Sequence, residues 1–178
     1  ILVIAGGALG KVLLDKYSYS KEEADWNEFY QVSESDRSAI ILQDEMVEEQ
    51  ALIRDDVCYF DLATVHKYMN EVFYADMTEK LLLYANPTEV IRTTFGETSY
   101  TTTEGTQDAG YVISFVEGDT VYVAADYVKL FTNYSYDCYD RHVQVYTEWG
   151  TRQVAQLKKD TAVRLRGGVK SPILTQAA

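Results

Sequence analysis

Residues 56–84 and 119–146 spell one pattern twice. The first copy runs from Asp56 through Val57-Cys58-Tyr59-Phe60 and an amphipathic stretch ending at Asn70. Val72-Phe73-Tyr74, a polar turn and Leu81-Leu82-Leu83-Tyr84 complete it. The second runs from Asp119 through Thr120-Val121-Tyr122-Val123 to Asn133, then Tyr134-Ser135-Tyr136, a turn, and Val143-Gln144-Val145-Tyr146. A displacement of 63 residues superimposes Asp56 on Asp119, Tyr59 on Tyr122, Val65 on Val128 and Asn70 on Asn133. Identities are few, so the shared order of elements carries the comparison. A duplicated unit points first to a scaffold or binding module rather than to an active site.

Within each copy the hydrophobic period changes once. Val57 to Phe60 is strand-like, whereas Leu62, Val65, Met69 and Val72 share one helical face. Asp61 is placed to cap that helix, and Asn70 to stop it in the left-handed conformation. Val72–Tyr74 and Lys80–Tyr84 then predict a hairpin. In the second copy Ala125, Val128, Phe131 and Thr132 form the helical stripe, Asn133 the stop, and 134–138 with 143–146 the hairpin. Ala39–Leu42, Met46–Ala51, Val90–Arg92, Ser99–Thr103, Tyr111–Val116 and Arg152–Leu157 read as further strands, with Glu104–Gly110 a loop. Upstream, Ser20-Lys21-Glu22-Glu23 has capping-box spacing and predicts a helix over about 21–30.

The totals narrow the function classes. With 178 residues, 47% apolar and 25% charged, the chain suits one sizeable core or two small ones. A net charge of −12 opposes a phosphate backbone, so no nucleic-acid partner is expected. Cys58 and Cys138 do not make a dense disulfide framework, which leaves one cross-repeat bridge or two small buried hydrophobes. Ile1–Gly10 carries no charge and is too short to span a bilayer, which takes about 20 residues. It reads either as the end of a signal or anchor helix or as a buried first element.

Motifs for catalysis are missing. Gly6-Gly7-Ala8-Leu9-Gly10 lacks the Lys-Ser/Thr of a phosphate loop, and no Gly-x-Ser-x-Gly elbow occurs. Two histidines, His66 and His142, are too few for a copper site. Asp44, Glu45, Glu48 and Glu49 fit no calcium loop, and Asp137, Asp140 and His142 lack acid–base geometry. Neither cofactor nor metal is expected. The compositional outlier is 15 tyrosines. Tyr122, Tyr127, Tyr134, Tyr136, Tyr139 and Trp149 concentrate in the second copy. Period-two alternation places Tyr134 and Tyr136 on one sheet face, which is a sugar-stacking platform if exposed and core if covered.

The order strand, turn, strand, Asp-x-x-Tyr, short helix, helix stop and hairpin resembles the copper amine oxidase N-terminal-like domain, here in tandem. Phe60-Asp61-Leu62-Ala63 and Val123-Ala124-Ala125-Asp126 stand where that family has Val-Pro-Leu-Arg, without its proline and arginine. Asn70 and Asn133 replace its glycine, Phe73 and Tyr136 match its valine, and Ala75 and Cys138 its tryptophan, with Asp76 as the acidic neighbour. Thr147-Glu148-Trp149-Gly150, Lys158–Arg164 and Gly167–Leu174 extend the resemblance to the N-terminal region of clostridial, Gram-positive surface proteins. There an anchor helix precedes two such repeats, and a glycoside hydrolase family 18 domain follows. The catalytic strand of that family, Asp-x-x-Asp-x-Asp-x-Glu, does not occur in this chain.

These readings lead to an α+β chain of two similar small units, each a short helix packed on a mostly antiparallel β-sheet, with an N-terminal helical lead-in. The expected divisions are 1–20 for the end of a signal or anchor segment, 21–36 for the lead-in, 37–95 and 96–160 for the two units, and 161–178 for a linker to a downstream domain. The resemblance implies a non-catalytic, extracytoplasmic module. It would position a family 18 glycoside hydrolase at the cell envelope and bind cell-wall or chitin-like glycan through the six aromatic residues named above. Contact with the membrane would run only through the N-terminal anchor. The alternative is a protein–protein interaction or dimerisation module without glycan binding.

Overall fold

Tight turns set the first strands. In the computed structural model, which describes residues 15–148 and 156–177, Asp55 and Asp56 both have positive φ, 51° and 62°. That pair makes the two-residue turn whose twist suits a hairpin. It joins β2 (Glu45–Arg54) to β3 (Val57–Asp61), and Gln43, at φ 59°, helps turn β1 (Arg37–Leu42) into β2. Helix α1 (Trp26–Tyr30) precedes them. After β3 come α2 (Leu62–Tyr68), the hairpin β4 (Phe73–Asp76) and β5 (Leu81–Ala85), then β6 (Val90–Thr94), β7 (Ser99–Thr102) and β8 (Gly105–Asp108). The chain continues through β9 (Ser114–Glu117), β10 (Thr120–Ala124), α3 (Ala125–Lys129), β11 (Ser135–Cys138) and β12 (His142–Tyr146). β13 (Thr161–Arg164) and β14 (Ile173–Ala177) complete it.

Short helices and largely antiparallel strands make this a mixed α/β-containing chain in which strand predominates. One sheet has seven strands in the order β11-β12-β1-β2-β3-β10-β9; its one parallel pair joins β1 to β12. A second has five, β4-β5-β6-β7-β8, all antiparallel. Strands from both sides of residue 95 therefore lie in one sheet. One core contains Leu52, Phe60 and Val65 together with Val123, Val128 and Val145. Each of α2 and α3 packs on both β3 and β10. Residues 30–150 form one compact unit.

The second compact unit combines residues 1–29 with 151–178. The hairpin β13–β14 occupies the stretch expected to be a linker, and Glu23 bridges to Ile173 in parallel. Trp26 Nε1 donates to the Leu174 carbonyl at 3.0 Å, and Arg164 donates to the carbonyls of Ser20 and Ser171. A basic, glycine-containing segment is held as a hairpin because its arginine satisfies backbone carbonyls on two sides.

Local expectations met mixed outcomes. Asp61 caps α2, accepting from Thr64 N at 2.6 Å. The lead-in helix is shorter than expected and is capped by Asp25, whose Oδ1 accepts from Asn27 N at 2.8 Å and more weakly from Glu28 N at 3.3 Å. Ser20 instead accepts from Glu22 N, closing a turn, while Glu23 is drawn into its bridge with Ile173. Neither Asn70 nor Asn133 is left-handed. Asn70 works through its side chain, which accepts from Val72 N at 3.0 Å and donates to Thr132 Oγ1 at 2.9 Å. The loop expected at 104–110 contains β8. Of the strand expected over 152–157, residues 152–155 lie outside the described residues and Leu157 is in no strand. Ile1–Gly10 also lies outside them; among the described residues no helix is long and apolar enough to cross a membrane.

Candidate functional site

Of the six aromatic residues expected to stack on sugar, the five among the described residues do not share an open face. Tyr127 and Tyr134 are 1% and 2% exposed, and Tyr122 is 7% exposed. Tyr127 fills the space between α3 and the five-stranded sheet, meeting Tyr100 edge-on at 5.3 Å. The Tyr134 hydroxyl donates to the Ala125 carbonyl, and Tyr136 stacks beside it at 6.1 Å. Burial raises the hydroxyl pKa of Tyr127, Tyr134 and Tyr136 far beyond the ordinary tyrosine value. Tyr122 is covered by Phe115, stacked at 5.5 Å, and by the Arg37 guanidinium, which donates to its hydroxyl at 2.7 Å. Glu117 holds Arg37 there, and it also accepts from Arg54. Alternation had identified the shared face correctly; that face belongs to the core.

Tyr139 is the exception at 54% exposed. Its ring stacks on His142 at 4.6 Å, and Tyr30 also stacks on His142 at 4.8 Å. Burial lowers the His142 pKa, and its Nδ1 is buried without a hydrogen-bond partner. Trp149 lies outside the described residues. His66 Nε2 is 2.7 Å from the Phe73 carbonyl, and among the described residues no group of His, Cys, Asp and Glu is arranged to hold a metal ion.

A different place in the 30–150 unit combines rings with polar groups. A groove of about 300 Å³ runs along β6, β7 and β8 and ends against Leu130 and Phe131, just beyond α3. Its aromatic surfaces are Tyr100 and Phe131. Phe131 is held by Tyr84, stacked at 4.4 Å, and by the edge of Tyr127 at 5.2 Å. Tyr100 on β7 sits across from Gln107 on β8. The hairpin between these strands turns at Gly105, whose φ of 131° suits glycine, and Glu104 N donates to Thr102 Oγ1 at 3.1 Å.

On the other rim, Asn86 Oδ1 accepts from Thr88 N and Glu89 N, each at 2.9 Å, and so builds the turn that presents Glu89. The Glu89 carboxylate accepts from Thr103 Oγ1 at 3.2 Å. Ring faces beside carboxylates, an amide and hydroxyls can hold a ligand with apolar C–H faces and outward hydroxyls. The lining contains neither cysteine nor histidine.

Sequence reading missed this groove because its second wall comes from β8, Gly105-Thr106-Gln107-Asp108, whose four residues are all exposed. No apolar alternation marks such a strand. The available signal was the threonine-rich run at 101–106 broken by one glycine, which is hairpin chemistry. The 1–29 and 151–178 unit has its own cleft, about 960 Å³, between Glu22–Asp25 and Arg166–Pro172. Phe29 is the one aromatic residue lining it. Comparison of the chain with protein-family models, curated proteins and solved structures finds no match.

Proposed function

We propose that this chain is a non-catalytic binding module whose groove along β6–β8 takes an uncharged, hydroxyl-rich chain such as a cell-wall or chitin-like oligosaccharide. The observation that carries the reading is the joining of Tyr100 and Phe131 with Glu89, Glu104 and Gln107 in one groove. The net charge of −12 favours a neutral ligand over a polyanion. In this reading the module is extracytoplasmic and serves a glycoside hydrolase family 18 protein at the cell envelope, as the repeat-like sequence pattern suggests.

Calorimetry with chitin and peptidoglycan oligosaccharides tests it. Binding should weaken at least about tenfold in the Glu104→Gln, Gln107→Ala double variant, the equivalent of one or two lost hydrogen bonds. Unchanged affinity, or no binding of either glycan by the parent chain, would sink the glycan reading. The parent chain should also release no product from these oligosaccharides.

A protein-interaction module is the second reading, favoured by β8, a fully exposed edge strand carrying neither lysine nor proline. A concentration-dependent dimer in sedimentation, without glycan retention, would select it. Duplication belongs to both readings. The pairs Tyr59↔Ala124, Phe60↔Val123 and Asp61↔Tyr122 support it. Under the 63-residue displacement each outer pair becomes the other, and Phe60 pairs with its own counterpart. Two copies related by a local two-fold axis produce such a register.

A further inference from the structure

The seven-stranded sheet curls until strands distant in its order face one another. Three strands separate β3 from β11, yet Phe60 and Tyr136 meet edge to face at 6.4 Å. Side chains two apart on a strand share a face. Cys58 therefore projects beside Phe60, and Cys138 beside Tyr136, and each thiol lies near enough to the other to perturb its ionisation. Both are free thiols; Cys58 is buried and Cys138 is exposed.

We propose that Cys58 and Cys138 form a reversible dithiol–disulfide pair that joins β3 to β11 when the chain meets a small-molecule or protein disulfide. The two partners are unequal in the way such a pair requires. The neighbouring Cys58 thiol favours the Cys138 thiolate and lowers its pKa, while that proximity and burial push the Cys58 thiol well up. Partial burial, then Asp126 and Asp137, oppose ionisation of Cys138, but the influence of Cys58 dominates.

The accessible Cys138 thiolate attacks one sulfur of the disulfide RSSR; that S–S bond breaks, and RS⁻ departs to be protonated. Cys58 then loses its proton and attacks Cys138 Sγ in the mixed disulfide, displacing the second RS⁻. The protein loses two hydrogens and RSSR becomes two RSH. The bond closes a long loop between residues 58 and 138, so the oxidised chain resists unfolding more than the reduced one.

The test treats the folded, reduced chain with oxidised glutathione, blocks remaining thiols and measures intact mass and peptide maps. The expected product is a monomer lighter by two hydrogens, with a Cys58–Cys138 peptide and a Tm raised by roughly 10 °C. Dithiothreitol should restore both thiols and the original Tm. Cys58→Ser should stop at one glutathione adduct on Cys138, and Cys138→Ser should leave Cys58 unmodified while folded. The exposed position of the second variant guards against a folding defect in the first. Persistence of both thiols in the parent chain would overturn the proposal. So would a product consisting of Cys138-linked dimers or of a stable glutathione adduct in the parent chain.

Discussion

A single carboxylate decides how α2 begins. Asp61 accepts from Thr64 N at 2.6 Å while its backbone remains extended, at φ −65° and ψ 153°. Asp61→Ala would leave that amide without its partner and should cost about 1 kcal/mol in urea unfolding. At the next link of the same turn, the Thr64 hydroxyl is buried with no hydrogen-bond partner. Thr64→Val keeps the shape and removes that polar atom, so stability should hold or rise by up to about 1 kcal/mol. A third residue adds a pH dependence. Burial lowers the His142 pKa below its ordinary 6.5, so the unfolded chain takes up its proton first as pH falls. The stabilisation is complete above about pH 6.5 and declines as pH falls from there through the lowered value. The imidazole signals of His142 should titrate below those of a free histidine. The loss of Tm between pH 7 and 5 should be smaller in His142→Gln than in the parent chain.

At the scale of elements, apolar periodicity made the buried strands readable. Ala39–Leu42, Val57–Phe60 and Thr120–Val123 were expected and lie in β1, β3 and β10. Both hairpins of the repeat were also legible, because Phe73, Leu82, Val143 and Val145 are the core residues that set their periods. Polar elements were not. β8 has no buried residue, and β13–β14 depends on Arg164 meeting carbonyls at Ser20, far away in sequence. The covering of the expected aromatic face was unreadable for a related reason: alternation assigns faces without saying which face another layer covers. Tyr134 and Tyr136 needed α3, whose Ala125 carbonyl takes the Tyr134 hydroxyl, to reveal that theirs was covered. The β11–β12 hairpin has a comparable distant tie. Arg141 donates to the carbonyls of Val32, Glu34 and Ser35 over 3.2–3.5 Å. Arg141→Gln should cost on the order of 1 kcal/mol and speed amide exchange across residues 32–37.

For the 30–150 unit as a whole, the ordering of strands matters more than any one contact. β1 pairs in parallel with β12, Ala39 opposite His142 and Leu42 opposite Val145, and β3 pairs with β10. Such long-range pairings raise the entropic cost of the folding nucleus, so refolding should occupy milliseconds to seconds rather than microseconds. A fragment of residues 30–118 lacks β10 and β12 and would expose the edges of both β1 and β3. Its circular dichroism and amide dispersion should be those of an unfolded or aggregating chain. Native-like dispersion in that fragment would show that the first half holds its own core.

The β1–β12 pairing has a further consequence during synthesis. The ribosome releases β1 first, while the strand that flanks it is encoded about a hundred residues later, a delay of roughly 5–20 s at ordinary elongation rates. Throughout that interval Ile40 and Leu52 have no completed layer to enter, and the apolar edge of the nascent meander stays open to other chains. Chaperone demand should therefore peak before residue 142 emerges and fall sharply once β12 can zip onto β1.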